Sequence, residues 1–455
     1  MAWPLRMVAM NGRWWMLVDG VLLVVLAAYA LAGVPRTPFH GDEGMQVYMT
    51  KDFFTAFVDN NPADLPTNPP YTIDSDPHLR LINGTLQRYA AGAVLYARGH
   101  NTGDLPIPPG WNWGLSYEDN VAGSWLPKNS VLHPSRYTSA TFFALSLPVM
   151  FALGWQFGGR LAAYVAVLVY GLNPTTLLNV RRATMEGSML LFGLLAVLMG
   201  VVIARRVASQ TRPAWYWWVL LALSGGLALA AKHSSAVFLI AAWGMPFVAV
   251  LLTHARQQHL RQLAAYTGAL FVSGMAAIVL FVVLSPALWS APIARLGNLA
   301  EERTKLLNIQ VQIANGATGP GYRVAGLAVQ PFIAPTQYFE FDSWGEVDAI
   351  VAQIDSYEGA WLGGLRAGYL IGVPLILLAA VGLVTARERY LLLWPLVTCA
   401  LLLANPLAWQ RYYLPLVPVW ALYAGIGTQF VWIWICKRIR TQSSVAAAGV
   451  VSQTD

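Results

Sequence analysis

The chain has 455 residues, 56% of them hydrophobic and only 11% charged, with 19 Trp, 19 Tyr and 17 Phe and a formal net charge of +7; its mean hydropathy is +0.50. Ordinary soluble domains carry roughly 25% charged residues, so a soluble enzyme is excluded, and disorder and fibrous repeats are excluded by the aromatic content. What remains is an all-α polytopic membrane protein, and its basic charge has to be placed relative to the bilayer before any nucleic-acid partner is invoked.

A spanning helix needs about 20 mostly apolar residues. Such runs are predicted near 14–34, 137–157, 161–179, 187–204, 215–231, 234–253, 264–285, 366–384, 390–405 and 414–436, about ten spans. Placing Arg6 and Arg13 inside and alternating puts Arg160, Arg205, Arg206, Arg212, Arg256, Arg261, Arg387, Arg389, Lys437, Arg438 and Arg440 on the same side, against only Asp19, Glu388 and Asp455. Lys and Arg retained in short cytoplasmic loops set orientation, so both termini are expected in the cytoplasm of a cell-membrane protein. The expected organisation is therefore 1–34 as cytoplasmic end and first span, 35–136 as a first extracytoplasmic loop, and 137–285 as spans two to seven. A second long outer loop follows at 286–365, then the last three spans at 366–436 and a disordered tail at 437–455. LAAYALAGVPR resembles a signal-peptide cleavage region, but the residues that follow look functional, and an uncleaved anchor is expected. The two long loops, rich in Pro, Gly, Asn and Trp, are expected to form one cap. RLINGTLQRYAAGAVLYAR (80–98) is predicted as an interfacial helix.

The informative charges are those standing against this pattern. After the first span, PFHGDEGMQVYMTKDFF sets Asp42 beside Glu43, with His40 upstream and Tyr48 and Lys51 downstream. Adjacent carboxylates raise each other's pKa, so the pair implies a base, a metal or a salt-bridged helix start. The plainer alternative is that Asp42 caps the following helix with Glu43 in its first turn. Arg181 and Arg182 fall in a short outer turn just ahead of Glu186; they either pair with that glutamate or form an anion site. Lys232-His233, in AAKHSS, lies between two apolar runs, where an ionisable residue is a functional hypothesis by default; the alternative is a snorkelling lysine. Arg411 heads the last span in NPLAWQRYYLPLVP beside Tyr412, where an aromatic belt explains the tyrosines but not the arginine. Four cations near an acidic pair suit a substrate with an anionic head and a chemistry that needs a base. Five histidines (His40, His78, His100, His133 and His233) fall outside, yet none has HxxxH or HExxH spacing. No metal site or cofactor is therefore expected, with a divalent ion as the lesser alternative.

The ordered set of acidic pair, RRATMEGSMLLF, AAKHSS, SPALWSAP and RYYLPLVP resembles the GT-C superfamily of membrane glycosyltransferases, and within it glycosyltransferase family 39, the protein O-mannosyltransferase and aminoarabinose transferase group. The resemblance implies a GT-C-like helix bundle. It further implies inverting transfer of a sugar from a polyprenyl-phosphate donor to an extracytoplasmic hydroxyl of a protein, glycan or lipid acceptor. In that reading Asp42 is the base with Glu43 as its neighbour. Lys232, Arg411, Arg181 and Arg182 hold the donor phosphate, and His40, Tyr48, Glu186, His233 and Tyr412 line the site. The rival function is a lipid-linked saccharide transporter or flippase, for which an acidic pair has no use and in which paired repeats would be expected; a non-catalytic envelope scaffold is a third. Nucleic acid is not among the expected partners.

Overall fold

A computed structural model describes residues 12–255, 259–314, 316–340 and 346–451. Arg6, Arg256 and Asp455, used above for orientation, lie outside these. The described residues are helical, with no strand among them. The first apolar run forms α1 (Gly12–Ala32). The first long loop folds into α2 (Gly41–Tyr48), α3 (Lys51–Phe53), α4 (Asp76–Ile82), α5 (Thr85–Ala97) and α6 (Tyr117–Ala122). The interfacial helix expected over 80–98 is thus two helices. The chain breaks at Asn83–Gly84, where a side chain on Gly84 would strike the Ala231 carbonyl.

Next come α7 (Asn129–Gly171), α8 (Pro174–Val180), α9 (Glu186–Ala208), α10 (Trp215–Ala231), α11 (Ala236–Val250) and α12 (Leu260–Leu284). The expected spans 137–157 and 161–179 meet inside α7 at Gly159, whose φ of 70° is non-helical and open to glycine. The second of them is interrupted again at Leu172, and Asn173 caps α8 by accepting from Thr176 N at 2.9 Å. An apolar run therefore reads as one span where the backbone makes two helices. The second long loop carries α13 (Pro292–Ile313), α14 (Pro320–Phe332) and α15 (Asp348–Gly359), and α16 (Tyr369–Thr385), α17 (Leu393–Ala404) and α18 (Val417–Val451) complete the chain. The tail expected to be disordered from residue 437 runs as helix to Val451, in keeping with its alanine run.

Six helices among the described residues are long and apolar enough to cross a membrane, and Trp215–Ala231, Tyr369–Thr385 and Arg389–Ala404 are shorter apolar helices. The bundle is built on α7, α9, α16 and α18, around a core including Phe143, Tyr170, Leu194, Phe238, Trp394 and Tyr423. Without a hydrophobic drive between helices in lipid, close backbone approach does the packing. Accordingly, an added Cβ at Gly382 would lie 1.9 Å from Tyr423 O, and one at Gly427 1.9 Å from Leu378 O, where α16 meets α18. At one end of the bundle Asp19 ties α1 to α7, accepting from Arg160 Nη2 at 3.2 Å and Tyr164 Oη at 2.6 Å. At the other end the two long loops meet: Thr67 Oγ1 donates to Ala287 O at 3.0 Å and Phe39 N to Gln353 Oε1 at 2.8 Å.

Candidate functional site

The start of α2 is over-determined by local chemistry. His40 is the N-cap, its Nδ1 accepting from Asp42 N at 3.2 Å, while Glu43 at N3 accepts from His40 N at 3.1 Å. Together they form a capping box. The expected cap at Asp42 is thereby replaced: His40 takes that role and the Asp42 carboxylate is released for other contacts. Gly44 permits the Gly110 loop to pack on this helix, since a Cβ there would stand 2.2 Å from the Gly110 carbonyl. Backbone cannot yield as a flexible side chain does, so Gly44→Ala is expected to cost about 1–3 kcal/mol. A lowered melting temperature in detergent checks this; an unchanged one contradicts it.

The two adjacent carboxylates have opposite environments. Glu43 is fully buried and engaged at both oxygens. Oε2 accepts from Arg136 Nε at 2.6 Å and Ala183 N at 2.9 Å, and Oε1 from Arg136 Nη2 at 2.7 Å. Arg136 also donates to Thr37 O at 2.8 Å. Glu43 therefore binds α2 to α7 and to the 181–185 turn, with no lone pair directed at a substrate. Asp42 keeps 30% of its side chain exposed and pairs with Arg411, whose Nη1 donates to Oδ2. Arg411 Nε also stands 2.9 Å from Glu340 Oε1, and Glu340 Oε2 accepts from His40 Nε2 at 2.8 Å. Because His40 Nδ1 accepts, its proton sits on Nε2. The result is a ring of four side chains, Asp42, Arg411, Glu340 and His40, stacked on one side by Phe339 at 5.8 Å from the imidazole.

Burial alone would raise the Asp42 pKa, but the Arg411 charge, then His40, outweighs it and holds the carboxyl below its ordinary range. Glu340 behaves alike: burial pushes it up, Arg411 and His40 pull it further down. Both are ionised at neutral pH. Arg303 on α13 lies within electrostatic reach of the Asp42 and Arg411 charges and of the neutral Tyr412 hydroxyl. Its side chain makes no hydrogen bond or ion pair among the described residues. Tyr412 donates to Gln310 Oε1 of the same helix at 3.2 Å and stacks on Trp409 at 5.6 Å, which fixes the aromatic wall beside Arg411.

The remaining expected residues are distributed differently. Lys232 Nζ donates to Glu186 Oε1 at 2.5 Å, and Glu186 Oε2 is buried with no hydrogen-bond partner among the described residues. His233 packs edge-on against Phe281 at 5.8 Å. Arg181, read above as part of a phosphate site, is fully buried. Its guanidinium donates to Ala30 O at 2.8 Å, Tyr29 O at 2.6 Å, Tyr357 Oη at 2.6 Å and the Leu362 carbonyl. It satisfies orphan carbonyls at the end of α1, and four of its five N–H groups are engaged within the protein. Arg182 donates to Tyr338 O at 2.7 Å and faces the Phe339 ring, so it supports the wall behind His40. Tyr48 donates to Asp76 Oδ1 at 2.7 Å, and Lys51 pairs with the same carboxylate; this pair belongs to a second cluster with Arg80 and Asp52. Glu340, Arg303 and Gln310 are missed by the sequence reading, since all lie in the second long loop. The one available signal is a lone acid in the aromatic run QYFEF. No group of three or more His, Cys, Asp or Glu among the described residues is placed to hold a metal ion.

Residues 112–293 match the family model for dolichyl-phosphate-mannose-protein mannosyltransferase. That stretch contains RRATMEG, AAKHSS and SPALWSAP but not Asp42, Glu43 or Arg411. No curated protein matches the chain by sequence. Among solved structures, ArnT from Cupriavidus metallidurans bound to undecaprenyl phosphate aligns at 12% identity and a TM-score of 0.47, over 97% of this chain and 65% of that one. The oligosaccharyltransferase AglB from Archaeoglobus fulgidus, in complex with an inhibitory peptide and a dolichol-phosphate, aligns at 14% identity and a TM-score of 0.48, over 96% and 52%. The chain thus spans less than two thirds of the length of these solved proteins. The sequence likeness to the mannosyltransferase model is confined to residues 112–293, less than half of the chain.

Proposed function

We propose that the protein is an inverting membrane glycosyltransferase that takes a sugar from a polyprenyl-phosphate donor to a hydroxyl acceptor at the extracytoplasmic end of the bundle. The observation that carries this is the juxtaposition of a partly exposed, ionised Asp42 with two cations, Arg411 and Arg303, at one face of the loop assembly. A carboxylate for the acceptor proton and fixed positive charge for a departing phosphate are the two requirements of such a transfer. The family-model match adds weight over residues 112–293.

In the proposed reaction the acceptor hydroxyl hydrogen-bonds to Asp42 and attacks the anomeric carbon from the face opposite the phosphate. The new C–O bond forms as the bond to the phosphate oxygen breaks, the hydroxyl proton passes to Asp42, and the phosphate leaves as an anion. Arg303, with no carboxylate partner among the described residues, and Arg411 receive that growing charge, so they act more strongly on the transition state than on the bound donor. Arg411 also couples the two halves. While it holds Asp42 it keeps that carboxylate a weak base. When a phosphate draws the guanidinium away, Asp42 loses its main stabilising charge and its basicity rises. Lys232, already paired with Glu186, serves as a third cation at the donor end. The lipid tail lies among the apolar helices.

The test is a transfer assay with purified protein in vesicles, supplying a panel of polyprenyl-phosphate-linked hexoses and pentoses and measuring free polyprenyl phosphate. Release of the lipid phosphate with at least one donor is expected. Movement of the intact lipid-linked sugar across the vesicle, with no cleavage, would instead establish the transporter.

A further inference from the structure

The helix α13 that brings Arg303 to the catalytic centre carries a different set of side chains on its other flank. There, between α13 and the segment Tyr71–His78, is a cavity of about 370 Å³, lined by Tyr71, His78, Glu302, Lys305, Leu306 and Asn308 among others. We propose that this cavity binds a neutral sugar ring, a proposal that rests on the glycosyl-transfer reading given above.

The volume lies at the low end for small-molecule sites, suited to one or two sugar rings rather than to a peptide or a lipid chain. Its charge is internally balanced. Glu302, almost fully buried, accepts from Lys305 Nζ at 2.8 Å. An anionic ligand would meet Glu302, and a cationic one would meet Lys305; a neutral polyhydroxylated ligand opposes neither. The hydrogen-bonding groups are complementary to hydroxyls, which both donate and accept. His78 is buried, its Nδ1 accepts from Asp74 N at 3.3 Å, and burial lowers its pKa against the pull of Glu302, so Nε2 carries the ring's one proton at neutral pH. That Nε2 stands 3.9 Å from Glu302 Oε2, too far for a direct hydrogen bond. A hydroxyl that accepts from Nε2–H and donates to Oε2 satisfies both. Asn308 offers a further donor and acceptor, and the Tyr71 ring and Leu306 offer the apolar surface on which the C–H face of a pyranose rests. Adjacent positions on one helix, 302 and 303, thereby serve a sugar ring and the phosphate of the reaction.

The experiment is saturation-transfer NMR of the full-length protein in lipid nanodiscs, with methyl α-mannopyranoside and methyl β-glucopyranoside as probes. Saturable binding of at least one glycoside is expected. Tyr71→Ala and Glu302→Gln should each weaken it about tenfold, as loss of one well-placed contact does, with melting temperatures unchanged. Asp42→Asn should bind the glycoside as the unaltered protein does, so a failed transfer assay and a failed sugar site give different results. Adding a polyprenyl-phosphate hexose distinguishes the sources: displacement assigns the ring to the donor, and coexistence assigns it to the acceptor. Absence of saturable binding to the unaltered protein, or undiminished binding in both cavity variants, overturns the proposal.

Discussion

Asp42→Asn is expected to lower sugar transfer by about 10²–10⁴-fold, the usual contribution of a positioned general base, while expression, melting temperature and donor affinity stay close to those of the unaltered protein. The expectation comes from exposure and pairing. Asp42 is not part of the capping box, leaves 30% of its side chain accessible, and shares Arg411 with Glu340. An amide of the same shape therefore leaves Arg411 with a carboxylate partner and the helix start intact, and removes only the acceptor of the hydroxyl proton. Single-turnover transfer beside donor-binding measurements separates these effects; undiminished transfer would remove Asp42 as the base. The pH profile adds a sharper check. In the free protein Arg411 and His40 hold Asp42 below its ordinary range, so protonation of Asp42 would reduce kcat/KM only below the usual aspartate value of about 3.9. Once a donor phosphate engages Arg411, that stabilisation weakens, and the acid limb of kcat is expected at higher pH than that of kcat/KM. Coincident limbs would contradict the coupling through Arg411.

The neighbouring carboxylate is expected to behave in the opposite way. Glu43→Ala should destabilise the protein by about 3–5 kcal/mol, because it leaves the Arg136 charge buried without its partner. It also frees Ala183 N and His40 N of their acceptor and undoes the capping box. The measurement is thermal unfolding and yield in detergent, and an unchanged melting temperature would refute the structural role. Replacing both partners, Glu43→Leu with Arg136→Met, should recover much of the loss, as paired removal of buried charges commonly does. Two adjacent acids would then be separated experimentally, one governing turnover and the other folding.

Much of the architecture was legible in the sequence, because apolar runs of spanning length have few alternatives, and α9, α10 and α11 fall where those runs predict. The breaks were not. Helices apolar on every face carry no periodicity to mark where they end, so the turn at Gly159 and the interruption at Leu172–Asn173 left no trace beyond single residues. The site was legible in part. Asp42 and Arg411 stood out against the charge pattern, and the two side chains pair in the structure. Arg181 stood out for the same reason, yet the same rarity of charge near lipid has a second cause, the need to satisfy carbonyls at the end of α1. Those carbonyls, at Tyr29 and Ala30, are some 150 positions away, beyond any local motif. Glu340 and Arg303 were hidden by their surroundings: in a long polar loop an acid or an arginine is unremarkable until its partner is known.

Recognition of a lipid-linked phosphate by the Asp42–Arg411–Arg303 centre is measurable by native mass spectrometry of the purified protein with undecaprenyl phosphate and with undecaprenol, the same lipid lacking the phosphate. Stoichiometric binding of the phosphate, strongly preferred over the alcohol, is expected, with a loss of about 10–100-fold in that preference for Arg303→Ala, the effect of removing one charge-assisted contact. Equal affinity for the two lipids, or an undiminished preference in Arg303→Ala and Arg411→Ala alike, would contradict it.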